Sequence, residues 1–136
     1  MANLVLELKP GEMLVINGAT IRFRSRTRIE LLSRARFLFG KQIMAPHEAN
    51  TLARQLYFAL QIAYVGSDEE RGPALAEFAP VLAKLRDRAE FEPMLSDLDA
   101  VADFASAGDY YMALKLGRNI IRHEDVMLNG QVDGGR

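Results

Sequence analysis

A chain of 136 residues, 49% of them hydrophobic, carries enough apolar material for an ordinary domain core, which excludes a disordered chain. It has no cysteine, which excludes disulfides and thiolate metal sites and agrees with a reducing compartment. The net charge of −1 hides a division: residues 1–41 hold eight Lys/Arg against three acids (+5) and residues 42–136 hold nine against fifteen (−6), so two surfaces with different partners are expected.

The first residues show neither a basic n-region nor an apolar h-region, so no signal peptide is expected. No apolar run approaches the ~18 residues that span a bilayer, and a soluble cytoplasmic protein is the expectation. Leu4, Leu6 and Leu8 alternate with Val5, Glu7 and Lys9 as a first strand, ended by the turn signal Pro10-Gly11. Met13 to Ile16 reads as a second strand. Asn17-Gly18 follows, the signature of a two-residue type I′ hairpin.

The stretch from Ile21 to Leu31 organises the reading. As one extended strand it places Ile21, Phe23, Ser25, Thr27, Ile29 and Leu31 on one face and Arg22, Arg24, Arg26 and Arg28 in a row on the other. Four guanidinium groups are not buried without partners. Arg24 to Arg26 also suits a loop tip, in which case the row breaks while its arginines stay clustered and exposed. Ser33 to Phe39 continues with Ala35, Phe37 and Phe39 on one face and Arg34 and Arg36 nearer the other. The region reads as an antiparallel meander of four to five short strands.

After Met44 the period becomes helical. Pro46 suits a first helical turn, and Leu52, Leu56, Ala59, Leu60 and Ala63 recur at helical spacing up to Gly66. Ser67 to Glu70 reads as an acidic connector. Helical spacing resumes with Leu75, Phe78, Leu82 and Leu85, with Pro80 expected to kink or divide that helix. Pro93 opens a third helix striped with Leu95, Leu98, Ala102 and Ala105. Gly108-Asp109 reads as a C′ glycine and a new N-cap before a last helix from Tyr110 to about Leu128. The expected fold is therefore α+β. A basic β subdomain over 1–44 precedes an acidic bundle of about four helices over 45–129, together one compact domain, with a flexible tail over 130–136.

Enzyme signals are poor. His47 and His123 lack metal-ligand spacing, and no P-loop, G-x-G-x-x-G or G-x-S-x-G motif occurs, so no catalytic residue, metal or cofactor is expected. Tyr57, Tyr64, Tyr110 and Tyr111 are most simply helix packing, with a partner-binding groove as the sharper alternative. Gly117 inside a helix hints at a close helix contact. The basic strands stand apart, because Glu30 is the only acid between Leu14 and Met44 and the excess cation is arginine, whose planar fork fits phosphate. No helix carries a basic recognition face, which disfavours major-groove DNA reading; single-stranded RNA over a small sheet fits better, with an acidic protein partner or a plain solvated strand face as the alternatives. The candidate RNA contacts are Arg22, Arg24, Arg26, Arg28, Arg34 and Arg36, with Lys9 and Lys41 at the margins.

Several segments resemble the FlbT family of bacterial flagellar-biosynthesis regulators: Leu4 to Glu12, Val15 to Ala19, Arg26-Thr27-Arg28, Lys41 to Ile43, Glu48 to Thr51 and Ala53 to Ala59, with Gln61 and Tyr64. The likeness is dense over about residues 3–65 and weaker to about 125. A fainter similarity links the N-terminal pattern to small RNA-binding β proteins of the carbon-storage-regulator type. The chain departs from the family pattern at Leu52, where proline often follows Asn-Thr, and at Phe23 to Ser25, where turn residues are usual. The resemblance implies a repressor associated with the 5′ untranslated region of flagellin mRNA that blocks translation and promotes decay of the message. It also implies a FlaF-like flagellar protein as partner. The acidic helical half is expected to bind a protein partner or a second copy of the chain. A helical adaptor or chaperone that binds flagellin or a flagellar partner, with only indirect RNA association, is the competing expectation.

Overall fold

A computed structural model of the chain describes residues 4–133, with side chains as far as 129. Five antiparallel strands precede four helices: β1 (Leu4–Leu8), β2 (Met13–Ile16), β3 (Ala19–Arg22), β4 (Thr27–Leu31), β5 (Phe37–Phe39), α1 (Leu52–Val65), α2 (Asp68–Arg88), α3 (Glu92–Ser106) and α4 (Tyr110–Asp133). The fold is α+β, as the change of period at Met44 implies. The strands form two sheets, β1–β4 and β3–β2–β5. Only β2 and β3 are neighbours in both sequence and space. They are joined by Asn17 and Gly18 with φ of 47° and 86°, the two left-handed residues of a type I′ turn.

Alternation explains how the layers stack. Leu6 and Leu8 of β1 share a face with their neighbours Ile29 and Leu31 of β4, and this face packs on Leu14, Ile16, Phe37 and Phe39 of the second sheet. The opposite face of the second sheet turns Val15 and Leu38 into the helical core, where Leu38 is buried with Leu56, Tyr57, Leu60, Leu98, Val101 and Ile120. Residues of β5 thus contribute to both cores in alternation.

Several helix boundaries depart from expectation. Pro46 starts only a 3₁₀ turn (Pro46–Glu48); α1 begins at Leu52, where the Thr51 side chain accepts the Arg54 N–H. Ser67 to Glu70 is not a connector but the start of α2. Ser67 and Glu70 form a capping box, in which each side chain accepts the other's backbone N–H. Pro80 does not divide α2, which runs unbroken through both Pro73 and Pro80. The two prolines are seven residues apart and both exposed, so the carbonyls they leave unpaired face water. On α3 the buried stripe is Met94, Leu98 and Val101: Leu98 is as expected, Met94 and Val101 each fall one position before the expected Leu95 and Ala102, and Ala105 is half-buried. Gly108, with φ 79°, ends α3, and Asp109 caps α4 by accepting the Met112 N–H. Helix α4 extends past Asn129-Gly130 to Asp133, so the expected tail is helical at its start, and 134–136 lie outside the described residues.

Two joints hold the layers in register. At one, the Gly18 N–H donates to the Val65 carbonyl at 2.7 Å, and a Cβ on Gly18 would meet the Ser67 backbone at 3.3 Å, so both the turn and the approach require glycine. At the other, the nearly buried Glu124 of α4 accepts the Ala53 N–H at the start of α1, where the helix dipole favours a carboxylate. Arg54 and Asp125 pair beside it at 3.2 Å.

Candidate nucleic-acid interface

The arginine row is not one strand. Phe23 pairs with the turn after β1, donating its N–H to the Glu12 carbonyl and accepting from the Gly11 N–H, and its ring enters the β core. The backbone then bends at Arg24-Ser25, and Thr27 Oγ1 donates to the Ser25 carbonyl as β4 begins. A corner is forced because the chain leaves β3 in the second sheet for β4 in the first, while Phe23 between them packs in the β core and Ile21 stays exposed. The row breaks and its arginines are exposed as in the loop-tip alternative, but Arg22 and Arg28 fall on different sheets and do not stay clustered.

The six arginines consequently disperse. Arg22 lies opposite Met13 on the helix-side face of the second sheet, whereas Arg28 lies opposite Glu7 on the outer face of the first. Arg28 Nε stands 3.9 Å from Glu7, a pair three-quarters exposed on both sides and worth little to stability. Arg24 and Arg26 project from the bend. Arg34 and Arg36 lie in the irregular segment before β5, not on a strand. All six are exposed, and among the described residues Arg22, Arg24, Arg26, Arg34 and Arg36 are in no ion pair. Lys9 is exposed at the end of β1, and its N–H donates to the Glu12 carboxylate; Lys41 is exposed in the 3₁₀ turn Gly40–Gln42.

The tyrosines also separate. Tyr57 is 2% exposed and belongs to the core: its hydroxyl donates to the Gln42 carbonyl at 2.5 Å, and the Arg118 guanidinium lies over its ring and donates to its oxygen. Its placement removes it from any partner surface. Tyr110 is half-buried. Tyr64 is half-buried against Tyr111, ring centroids 5.4 Å apart, and Tyr111 is exposed beneath the Lys115 ammonium. Burial pushes the Tyr64 hydroxyl above its ordinary pKa, and the neighbouring Tyr111 adds to the rise.

Two groups of residues that sequence kept apart meet in a cleft of about 730 Å³ between the Asn17-Gly18 turn, the Arg34–Arg36 segment and the α1–α2 corner. Arg34, Arg36 and Tyr64 line it together with Asn17, Ser67, Asp68 and Arg71. Asn17 fixes the near wall: its N–H donates to the Arg36 carbonyl and its side-chain oxygen accepts the Arg36 N–H. Arg71 fixes the far wall, with Nε donating to the Ala63 carbonyl and Nη1 to Asp68 at 2.8 Å. Sequence reasoning missed Arg71 because it took Ser67 to Glu70 as a connector; the S-x-x-E capping pattern was the available signal.

Nothing comparable gathers around the histidines. His47 is exposed in its 3₁₀ turn, and His123 contacts Asp97 at 3.0 Å and the edge of Phe91, joining α4 to α3. Among the described residues no group of three His, Asp or Glu could hold a metal ion, and no helix is long and apolar enough to cross a membrane.

A family model described as flagellar protein FlbT matches residues 4–128. The chain is 36% identical over 139 residues to the flagellum biosynthesis repressor protein FlbT of Caulobacter vibrioides, covering 97% of this chain and 93% of that protein. A probable flagellum biosynthesis repressor protein FlbT 2 of Bradyrhizobium diazoefficiens is 34% identical over 125 residues, covering 92% and 91%. A probable repressor of the same name in Rhizobium etli is 32% identical over 130 residues, covering 96% and 87%. No solved structure matches.

Proposed function

The chain belongs to the FlbT family and is a regulator of flagellum biosynthesis, and on that footing we propose that it represses flagellin synthesis by associating with the 5′ untranslated region of flagellin mRNA, blocking translation and promoting decay. The observation that carries the RNA reading is the set of exposed guanidinium groups with no ion pair among the described residues, Arg22, Arg24, Arg26, Arg34 and Arg36. Such groups sit in a layer of net positive charge and offer the phosphate-matching fork that lysine lacks. Arg24, Arg26, Arg34 and Arg36 form the main contacts in this reading. Arg22, Lys9 and Lys41 are marginal, and Arg28 is weakened as a contact by Glu7.

The acidic helical half supplies a second surface for a FlaF-like protein, flagellin or a second copy. The burial of Tyr57 weighs against a tyrosine-lined helical groove as the sole active surface. The deciding experiment titrates the purified protein with a flagellin leader RNA and an unrelated RNA of equal length across salt concentrations. Arg26→Ala is expected to weaken binding to both RNAs alike and lower the log–log salt slope by about 0.7, as for one lost phosphate contact on a single strand. Absence of RNA binding until a FlaF-like protein or flagellin is added would transfer the function to the helical surface.

A further inference from the structure

We propose that the cleft between the β2–β3 turn and the α1–α2 corner holds one nucleotide of the bound RNA, its phosphate on Arg34 and Arg36 and its base against Tyr64. The inference rests on the RNA reading above and gives it a place. An extended basic face would grip a backbone anywhere along its length. The structure instead gathers three arginines and an aromatic ring around one concavity whose volume lies within the usual range for small-ligand sites. Arg34 and Arg36 are exposed and in no ion pair among the described residues, so both forks are available to a phosphate.

The remaining wall chemistry favours a base over a plain anion. Asp68 presents a carboxylate that would repel an acidic peptide but accepts N–H groups from a base edge. The Asn17 side-chain oxygen is taken by the Arg36 N–H, which leaves the side-chain amide of this lining residue as a donor. The start of α2 borders the cleft without carrying the proposal, because its capping box already uses the Ser67 and Glu70 N–H groups. Splaying one base onto an aromatic ring is how proteins read single-stranded RNA, and it gives a preference that phosphate contacts alone do not.

The test compares two charge-matched double variants, Arg34→Ala/Arg36→Ala in the cleft and Arg24→Ala/Arg26→Ala in the bend, for binding to a single-stranded leader oligonucleotide. It adds ring-labelled tyrosine NMR of the full chain with nucleoside monophosphates or inorganic phosphate as probes. The cleft pair should lose at least about tenfold more affinity than the bend pair. Tyr64→Leu should lose roughly tenfold while Tyr64→Phe retains binding, the size of one base-stacking contact. The Tyr64 ring signals should shift with a monophosphate and stay still with phosphate. RNA binding that falls equally in both pairs, with Tyr64 silent, overturns the cleft and leaves the RNA reading standing. Equal response of Tyr64 to inorganic phosphate reduces the cleft to an anion site and overturns the nucleotide. A folded wild-type protein that binds no RNA overturns both.

Discussion

Tyr57 shows how one side chain can be taken from function into structure. Its ring fills the core, its hydroxyl satisfies the Gln42 carbonyl, and Arg118 reaches across from α4 to bond both that hydroxyl and the Lys41 carbonyl. The tie therefore fastens α1 and α4 to the chain leaving β5. Tyr57→Phe keeps the packing but removes the hydroxyl that the Gln42 carbonyl and Arg118 share, leaving Arg118 its bond to the Lys41 carbonyl, so a loss of about 1–2 kcal/mol is expected by chemical denaturation. Burial is also the largest influence holding the Tyr57 phenol above its ordinary value of 10.0, with Arg118 opposing it. The folded state keeps the proton after the unfolded state has released it. The Tyr57 contribution to stability is therefore fully present below pH 10.0 and is lost as pH rises beyond it, so denaturation in alkaline buffers should show the parent destabilised more than Tyr57→Phe.

At the scale of an element, Gly117 lies where α4 packs on α1. A Cβ there would lie 3.4 Å from the Tyr57 ring and 3.9 Å from Leu60, ordinary contact distances. Gly117→Ala should therefore be accommodated, gaining up to about 1 kcal/mol of helix propensity. Gly117→Leu has no such room and should cost about 1–3 kcal/mol, read in the same denaturation assay. Helix α2 makes a different point. Its length through Pro73 and Pro80 is possible because both fall on the wet face, whereas Ala74, Phe78 and Leu85 hold the other face in the core. A proline in place of the buried Phe78 would take both a core side chain and a backbone N–H from the helix.

Across the whole molecule, what was legible in the sequence was whatever depends on local chemistry. Asn17-Gly18, Pro93 and Gly108-Asp109 each declare a turn or a cap, and the 3.6-residue stripes declare four helices. Strand pairing was not legible, since β1 meets β4 and β2 meets β5 only across intervening chain. The arginine row failed for the same reason: alternation cannot reveal that Ile21 and Ile29 belong to different sheets. The cleft was half legible, its arginines from composition and its tyrosine from periodicity, and only tertiary closure joins them. Alternation of Phe37, Leu38 and Phe39 between the two cores argues against independent halves. A fragment of residues 1–44 is expected to show no cooperative unfolding by circular dichroism. The full chain should lose sheet and helix signals in one transition.

The distance in sequence between Asn17 and Arg71, the opposite walls of the cleft, has a bearing on how the chain is born. On a ribosome the N-terminal strands emerge long before α2, and Leu38 must wait for helices not yet synthesised to cover it. The nascent protein thus carries its positive charge early but lacks its shaped recess until the first turn of α2 has left the exit tunnel. Under the proposed function, a protein built in this order would attract RNA while still being translated and become selective only once the recess has formed.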